Sequence, residues 1–277
     1  MAGKIEQLRS TTVAEGIVYG EGPRWHEGRL WFTDGPAGAV KSLDGSGRIA
    51  VEIEADRPSG LGWLPDGTVV ISALFAASVE LVAPDGARQV HDLGEHAWST
   101  NDLVVAPAGR IYLDLYRPTG GAIGLLSPGG DLRIVADGLA MPNGLAVLPD
   151  GATLVVSETF GSRLLAYTID ADGGLGPPRT FADLGDRHPD GLSVDAEGAV
   201  WVGCYDTGEF LRVLDGGDVT HRVGIATGWA VAPALGGDDG RSLFLVVDET
   251  THEDLLAGRS TGRIEHVTVE VPASGSP

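Results

Sequence analysis

The stretch NGLAVLPDGATLVVSE, residues 143–158, decides the fold. It places two apolar runs, LAVL and TLVVS, on either side of a Pro-Asp-Gly turn signal. Short runs rich in β-branched residues around a glycine-containing turn predict a β-hairpin. Related versions of this phrase begin at five other positions, namely Glu21, Ser59, Asn101, Asp190 and Trp229.

The spacing of the six copies indicates a repeat architecture. Successive copies start 38, 42, 42, 47 and 39 residues apart. Repeats of about 40–45 residues that each hold several strands are typical of a β-propeller. Further strand-like runs, such as SVELVAP at 78–84, bring each copy to four strands. The sequence therefore predicts an all-β, six-bladed β-propeller with four-stranded antiparallel blades around a central channel. We expect one domain over residues 1–277, with flexible extreme termini.

The sequence near each end of the chain predicts how the propeller closes. Both TVAEGIVY (12–19) and RIEHVTVEV (263–271) are strand-like. We expect them to pair in one blade, because an open ring would leave sheet edges unpaired. No segment of the chain has a convincing amphipathic-helix pattern.

Composition narrows the function classes. The formal net charge is −20, which repels nucleic acid and anionic membranes and attracts cations. The chain has no apolar run of about 18 residues, and MAGKIEQLRS lacks a signal-peptide core. A single cysteine excludes an intramolecular disulfide framework. We expect a cytoplasmic protein with a small-molecule partner and no nucleic-acid or membrane partner. The oligomeric state is not readable from the sequence.

The first residue of each copy predicts a site. In a propeller the innermost strand of every blade lines the channel, so the six starting residues form a ring at one mouth. Four of them, Glu21, Asn101, Asn143 and Asp190, supply two carboxylates and two amides. Oxygen-only ligation suits Ca²⁺, with Zn²⁺, Mn²⁺ or Mg²⁺ as alternatives. The alternative interpretation is that each residue only caps a turn.

A second circle of residues ends the second strand of each copy near the same mouth. Its members are Asp34, Ser72, Asp114, Glu158, Cys204 and Asp248. Glu158 and Asp248 either orient the ligands or pair with backbone groups. Arg24, in the first hairpin, is predicted on the surface.

Several motifs together resemble the senescence-marker-protein, gluconolactonase and luciferin-regenerating-enzyme family. They are GEGPRW and LWFTD (20–34), NDL (101–103), PNGLA (142–146) and PDGLSVD (189–195). The resemblance implies a six-bladed propeller, commonly a lactonase, with a divalent cation in the channel. It implies metal ligation by Glu21, Asn143 and Asp190, while Asn101 contacts metal, water or substrate.

One departure from the family pattern concerns the substrate. Sugar-lactonase members often carry an arginine two residues before the Asn101 position, where this chain has Ser99. A less polar substrate is therefore expected, with Trp98, Ser99, Asn101, Trp229 and His188 as its candidate contacts.

The expected chemistry is opening of a lactone or related ester at a metal-polarised carbonyl. Asp190 is the candidate catalytic residue, either as general base for water or, as a variant, as nucleophile. Two alternatives stay open. One is a different small-molecule chemistry at the same site, such as that of a phosphotriesterase, cyclase or isomerase. The other is a non-catalytic binding module.

Overall fold

The computed structural model describes residues 4–275. Its strands form six separate sheets, and the innermost strands of neighbouring sheets contact one another around a central axis. Each sheet is one blade, so the predicted six-bladed β-propeller is confirmed. Within the described residues, no helix is both long and apolar enough to cross a membrane.

The strands follow the blades in chain order. Two strands, β1 (Glu6–Leu8) and β2 (Thr11–Ile17), precede the first blade. The first blade contains β3 (Gly20–His26), β4 (Arg29–Asp34), β5 (Ala39–Leu43) and β6 (Ile49–Glu54). The second contains β7 (Pro58–Trp63), β8 (Val69–Ala73), β9 (Ser78–Val82) and β10 (Arg88–Asp92). The third contains β11 (Leu103–Ala106), β12 (Arg110–Arg117), β13 (Gly120–Leu126) and β14 (Leu132–Leu139).

The other three blades repeat this order. The fourth contains β15 (Pro142–Val147), β16 (Thr153–Glu158), β17 (Arg163–Thr168) and β18 (Arg179–Asp183). The fifth contains β19 (Pro189–Val194), β20 (Val200–Cys204), β21 (Glu209–Val213) and β22 (Val219–Gly224). The sixth contains β23 (Trp229–Gly236), β24 (Ser242–Glu249) and β25 (Thr261–Thr268), and β2 completes it.

The two ends of the chain close the ring as predicted. Strand β2 pairs antiparallel with β25, with Thr11 opposite His266. This pairing covers the outer edge of the sixth blade. The short strand β1 adds a fifth, parallel strand to the fifth blade, with Glu6 opposite His221. The sequence did not predict β1, because three residues are too few to show an alternating pattern.

The hydrophobic core is divided among the blade interfaces. Six apolar clusters are present, and each spans two neighbouring blades. Between the fourth and fifth blades, for example, the fully buried Val155 and Phe181 pack in one cluster with Val202. Each central strand is therefore covered on both faces, which is why its sequence is a nearly continuous apolar run.

The repeated Asp-Gly turns lie at the end of the channel opposite the predicted ring. The Asp66 carboxylate accepts the Thr68 backbone N–H at 2.9 Å, and Gly67 has a φ of +87°. That conformation is left-handed and favours glycine, which explains why Asp-Gly recurs in the turns of the repeats.

A short helix, α1 (His252–Leu256), lies in the connection from β24 to β25. The Thr251 side chain caps it by accepting the Asp254 N–H at 3.1 Å. The sequence did not predict this helix, because five residues are too few to show an amphipathic period. The helix sits on the same face as the starts of the innermost strands.

Candidate functional site

The four predicted ligands lie at the starts of innermost strands and are all buried. Glu21, Asn143 and Asp190 are the second residues of β3, β15 and β19, and Asn101 precedes β11 by two residues. Their exposed fractions are 7% for Glu21, 6% for Asn101, 9% for Asn143 and 5% for Asp190. The ring geometry thus draws together residues that are up to 169 positions apart in sequence.

Hydrogen bonds connect this ring from blade to blade. The Ser59 hydroxyl donates to Asn101 Oδ1. Asn101 Nδ2 in turn donates to Asn143 Oδ1 at 3.1 Å. Ser59 is therefore part of the polar ring, whereas the sixth starting residue, Trp229, belongs to an aromatic group described below.

The two carboxylates of the ring, Glu21 and Asp190, are both buried. Asp190 Oδ1 is buried and has no hydrogen-bond partner among the described residues. Burial, followed by the charge of Asp102, raises the pKa of Asp190 to about 8, against a hydrogen bond from Asn143 that lowers it. Burial and then the charge of Asp190 raise the pKa of Glu21 well above its ordinary value. Burial and mutual repulsion thus disfavour the ionised forms of both acids, and a bound cation would offset that cost.

This donor set fits a hard divalent cation. An unpartnered carboxylate oxygen and a second buried carboxylate are costly without a counterion. Within residues 4–275, no group of three or more His, Cys, Asp and Glu side chains could hold a metal. A cation at this ring would therefore depend on the two asparagine amides as well, and amide with carboxylate oxygen is the ligand chemistry that Ca²⁺ prefers.

Polar side chains at the end of the second strand of most blades accept hydrogen bonds from the backbone that precedes or contains the ring residues. The Asp114 carboxylate accepts the N–H groups of Asn101 at 2.6 Å and Asp102 at 3.0 Å. These bonds take the two residues out of the sheet ladder, which is why β11 begins only at Leu103. In the same way Asp34, Ser72, Glu158 and Asp248 accept backbone N–H groups of Tyr19, Gly60, Ala140 and Gly20.

A glycine follows Glu21, Ser59, Asn143 and Asp190, and it allows close contact with the next blade. A Cβ on Gly144 would lie 2.4 Å from the Asp190 carbonyl oxygen. A Cβ on Gly22 would lie 2.5 Å from the Ser59 carbonyl oxygen, and one on Gly60 2.9 Å from that of Asn101. Only glycine fits at these positions, so the repeated glycine sets the distance between neighbouring ring residues.

The prediction that Arg24 lies on the surface is wrong. Arg24 is only 9% exposed and extends from β3 to the third blade. Its guanidinium donates to Asp102 Oδ1 at 3.2 Å and to the Leu103 carbonyl oxygen at 2.8 Å. The side chain points into the channel, since β3 is the innermost strand of its blade. The W-x-x-G-x-L hairpin pattern could not reveal this, because it identifies the turn and not the direction of the preceding side chain.

The predicted aromatic contacts lie at the mouth on two sides. Trp98 is 56% exposed, with its ring 5.8 Å from that of Tyr116. Trp229 lies 5.1 Å from Tyr205 and 4.9 Å from His252, measured between ring centroids. These aromatic side chains lie at the end of the channel that holds the polar ring, and their contact with a substrate stays a prediction.

His188 is held by a neighbouring acid on a mouth loop. Its Nδ1 lies 2.6 Å from Asp206 Oδ2, and its ring lies 6.0 Å from that of Tyr205. About a third of the side chain is exposed. The imidazole can therefore face solvent at the mouth.

Ser99 is placed differently from the expected substrate wall. It is fully buried, and its hydroxyl accepts the Phe75 backbone N–H at 2.9 Å. In this conformation Ser99 supports the loop from β8 to β9 and does not face the opening. The structure thus brings Phe75, which sequence reasoning did not single out, to the mouth.

A cavity of about 310 Å³ adjoins Glu21 at the mouth. It lies between the first two blades and helix α1, and its lining includes Ser59, Arg57, Phe75 and Leu256. This volume is at the lower end of the range for small-molecule sites, about 300–1,000 Å³. A second cavity of about 320 Å³ occupies the opposite end of the channel, where Arg24 lines it and none of the predicted ligands does.

Comparison with known proteins identifies related sequences over the whole propeller. A family model described as SMP-30/Gluconolactonase/LRE-like region matches residues 19–248. The 6-deoxy-6-sulfogluconolactonase of Pseudomonas putida is 28% identical over 287 residues, which cover 99% of each chain. The pentonolactonase of Haloferax volcanii is 25% identical and covers 93% of this chain and 92% of its own.

Solved structures share the architecture. A calcium-binding protein, regucalcin, from Agrobacterium tumefaciens superposes with a TM-score of 0.83, at 23% identity and over 99% of this chain and 98% of its own. A luciferin-regenerating enzyme superposes with a TM-score of 0.78, at 18% identity and over 94% of each chain. At these identities the likeness concerns the fold.

Proposed function

Since this chain belongs to the SMP-30/gluconolactonase/LRE-like family, we propose that it is a divalent-metal-dependent lactonase. Lactone hydrolysis is supported by the two relatives that are named as lactonases and that match this chain over more than 90% of their length. The observation that carries the proposal is the buried ring at the channel mouth. In that ring Asp190 Oδ1 has no hydrogen-bond partner within the described chain, and the charge of Asp190 contributes to raising the pKa of Glu21.

Glu21, Asn101, Asn143 and Asp190 would hold the cation, for which Ca²⁺ is the best match and Zn²⁺, Mn²⁺ or Mg²⁺ are alternatives. The bound ion would supply Lewis-acid polarisation of the lactone carbonyl. The calcium-binding description of the structural neighbour from Agrobacterium tumefaciens agrees with this assignment. The two carboxylates match the charge of one divalent ion.

Asp190 has the position of the general base. One of its carboxylate oxygens has no hydrogen-bond partner within the described chain, and this oxygen would accept a proton from water as the water oxygen attacks the lactone carbonyl carbon. The ester C–O bond of the lactone then breaks, and the proton passes from Asp190 to the departing alkoxide. The product is a hydroxy acid. Ser59 and Asn101 orient the amide of Asn143, which holds the ring in one geometry.

The small-molecule substrate would enter at the mouth. Trp98, Trp229 and His188 border this opening, and Asn101 lies within the ring beneath it. Ser99 would act through Phe75, whose backbone it binds. These residues are proposed substrate contacts or supports, in addition to the ring itself.

The direct test is hydrolysis of a panel of lactones with and without chelator, in the wild type and in Asp190→Asn. We expect chelation to abolish activity and Ca²⁺ to restore it. The substitution removes the base and one ligand charge, so activity should fall by at least about a hundredfold. Asp85→Asn is the matched control, because Asp85 only caps a turn by accepting the Ala87 N–H.

Two results would contradict the proposal. Full activity after metal stripping would exclude the cation, and full activity in Asp190→Asn would exclude the base. The same panel should include an aryl ester and a phosphotriester. If one of these is cleaved and no lactone is, the site catalyses a different hydrolytic reaction.

A further inference from the structure

Arg57 is one of two arginines in the described chain without a side-chain partner. Every other arginine donates a side-chain hydrogen bond to a carboxylate, a hydroxyl or a backbone oxygen within residues 4–275. The second exception, Arg9, lies between β1 and β2 at the outside of the ring. Arg110 and Arg241 also have no acidic partner in the described chain, but each donates to a backbone carbonyl oxygen, whereas Arg57 donates no side-chain hydrogen bond.

Arg57 lines the cavity that adjoins Glu21. Its guanidinium carbon lies 5.9 Å from the centre of the Phe75 ring, which belongs to the same wall. Asp56 lines the cavity too but forms no ion pair with it in the described chain. The wall also contains apolar side chains, namely Leu74, Leu255 and Leu256. Among the described residues that line this cavity, Arg57 is the one that carries a cationic side chain.

The backbone around Arg57 is fixed in an unusual conformation. Arg57 and Phe75 have φ values of 45° and 62°, in the left-handed region that non-glycine residues rarely occupy. The Arg57 carbonyl oxygen accepts the Leu74 N–H at 2.9 Å, and Ser99 binds the Phe75 N–H. Strained residues that are held by several bonds are concentrated at ligand sites.

Resting on the proposed function, we infer that Arg57 binds an anionic substituent of the substrate, so that the substrate is a lactone that carries a carboxylate. Glu21 and Asp190 are matched by the proposed cation, and Asp102 is paired with Arg24. The charge of Arg57 is then left for the ligand. A guanidinium recognises a carboxylate with two parallel hydrogen bonds, and Arg57 is exposed, so a ligand can reach it.

The test uses two matched pairs of compounds in the presence of Ca²⁺. The first pair is γ-butyrolactone with a carboxylate on the carbon next to the ring oxygen, and the corresponding carboxamide. The second pair is tetrahydrofuran carboxylate and its carboxamide, which contain no lactone bond and report binding alone by calorimetry. Both pairs are compared in the wild type, Arg57→Gln, Arg57→Lys and the control Arg9→Gln.

We expect the wild type to prefer the carboxylate in both measurements. Arg57→Gln should lower the carboxylate-to-carboxamide ratio of kcat/KM about ten- to a hundredfold, which is the size of one charged hydrogen-bonded contact. Arg57→Lys should lower the ratio less than Arg57→Gln does, because lysine keeps the positive charge but loses the bidentate hydrogen bonding. Arg9→Gln should give the wild-type ratio.

The outcomes separate this inference from the proposed function. If both lactones are hydrolysed and Arg57→Gln leaves both ratios at the wild-type value, the role of Arg57 is overturned while the lactonase proposal stands. If neither lactone is hydrolysed but the binding preference for carboxylate depends on Arg57, the lactonase proposal fails and the anion site stands. If binding is also independent of Arg57, the anion site is overturned as well.

Discussion

Arg24 of the first blade and Asp102 of the third form an ion pair across the channel, with Nη2 and Oδ1 3.2 Å apart. Both side chains are about nine-tenths buried. The same Asp102 carboxylate acts electrostatically on Glu21 and Asp190, so the pair lies close to the proposed metal ring. Removal of Arg24 would leave a third uncompensated acid beside the two ring carboxylates.

The first prediction concerns this ion pair. Arg24→Met leaves Asp102 buried without its cation, which should lower the free energy of unfolding by about 3–5 kcal/mol. Arg24→Met combined with Asp102→Asn should recover part of that loss, because the uncompensated charge is then absent. Denaturant unfolding of both single variants and the double variant measures the coupling. Strictly additive losses would show that the two groups do not interact.

The second prediction concerns stabilisation by metal. A ligand that binds only the folded state at about 100 times its Kd adds about 2.7 kcal/mol of stability. Ca²⁺ should therefore raise the Tm of the chelator-treated protein, and Glu21→Gln should remove most of this increase because it deletes a ligand charge. Asp85→Asn should respond like the wild type. An unchanged Tm on addition of Ca²⁺, with no heat of binding, would argue against a cation at the ring.

The third prediction concerns the glycine contacts between blades. Gly144→Ala places a Cβ 2.4 Å from the Asp190 carbonyl oxygen, so the backbone of β19 must move. We expect a loss of about 1–3 kcal/mol in unfolding free energy, with weaker Ca²⁺ binding. The matched control is Gly45→Ala, since no heavy atom lies within 4 Å of a Cβ at Gly45. Equal Ca²⁺ affinities in the two variants would show that this contact does not position Asp190.

The fourth prediction concerns the pH dependence of the metal-free protein. The pKa of Asp190 rises from an ordinary value of 3.8 to about 8 on folding. Between these values the folded state retains a proton that the unfolded state has lost, so stability should fall as pH rises from about 4 to about 8. Asp190→Asn should make the decline shallower. Unfolding at a series of pH values, with chelator present, measures it, and a slope unchanged by the substitution would contradict the assignment.

Most of the architecture was predictable from local sequence. The apolar runs and turn signals of each copy specify hairpins, and six copies at nearly constant spacing predict six blades. The ring residues could be found in the same way, because the repeat aligns Glu21, Asn101, Asn143 and Asp190 at one blade position. The strand β1 and helix α1 escaped prediction, since three and five residues are too few to show a period.

The surroundings of the ring could not be predicted in this way. Arg24 looks like a surface residue of a hairpin, yet it crosses the channel to Asp102 in a blade two repeats away. Ser99 is adjacent in sequence to Trp98 but lies buried beneath the Phe75 backbone. Such contacts depend on how far each blade is rotated against its neighbours, and a repeat pattern carries no information on that angle.

The sequence by itself determined the number of blades, the closure of the ring by its two ends and the identity of the polar ring, because each of these follows from a repeated local pattern. Only the tertiary structure decided which carboxylate oxygen lacks a partner, which glycines separate the blades and which arginine faces the cavity. The physical reason is that burial and charge pairing arise between blades. A group such as Asp190 or Arg57 acquires its environment from residues that are distant in the chain and meet only at the axis.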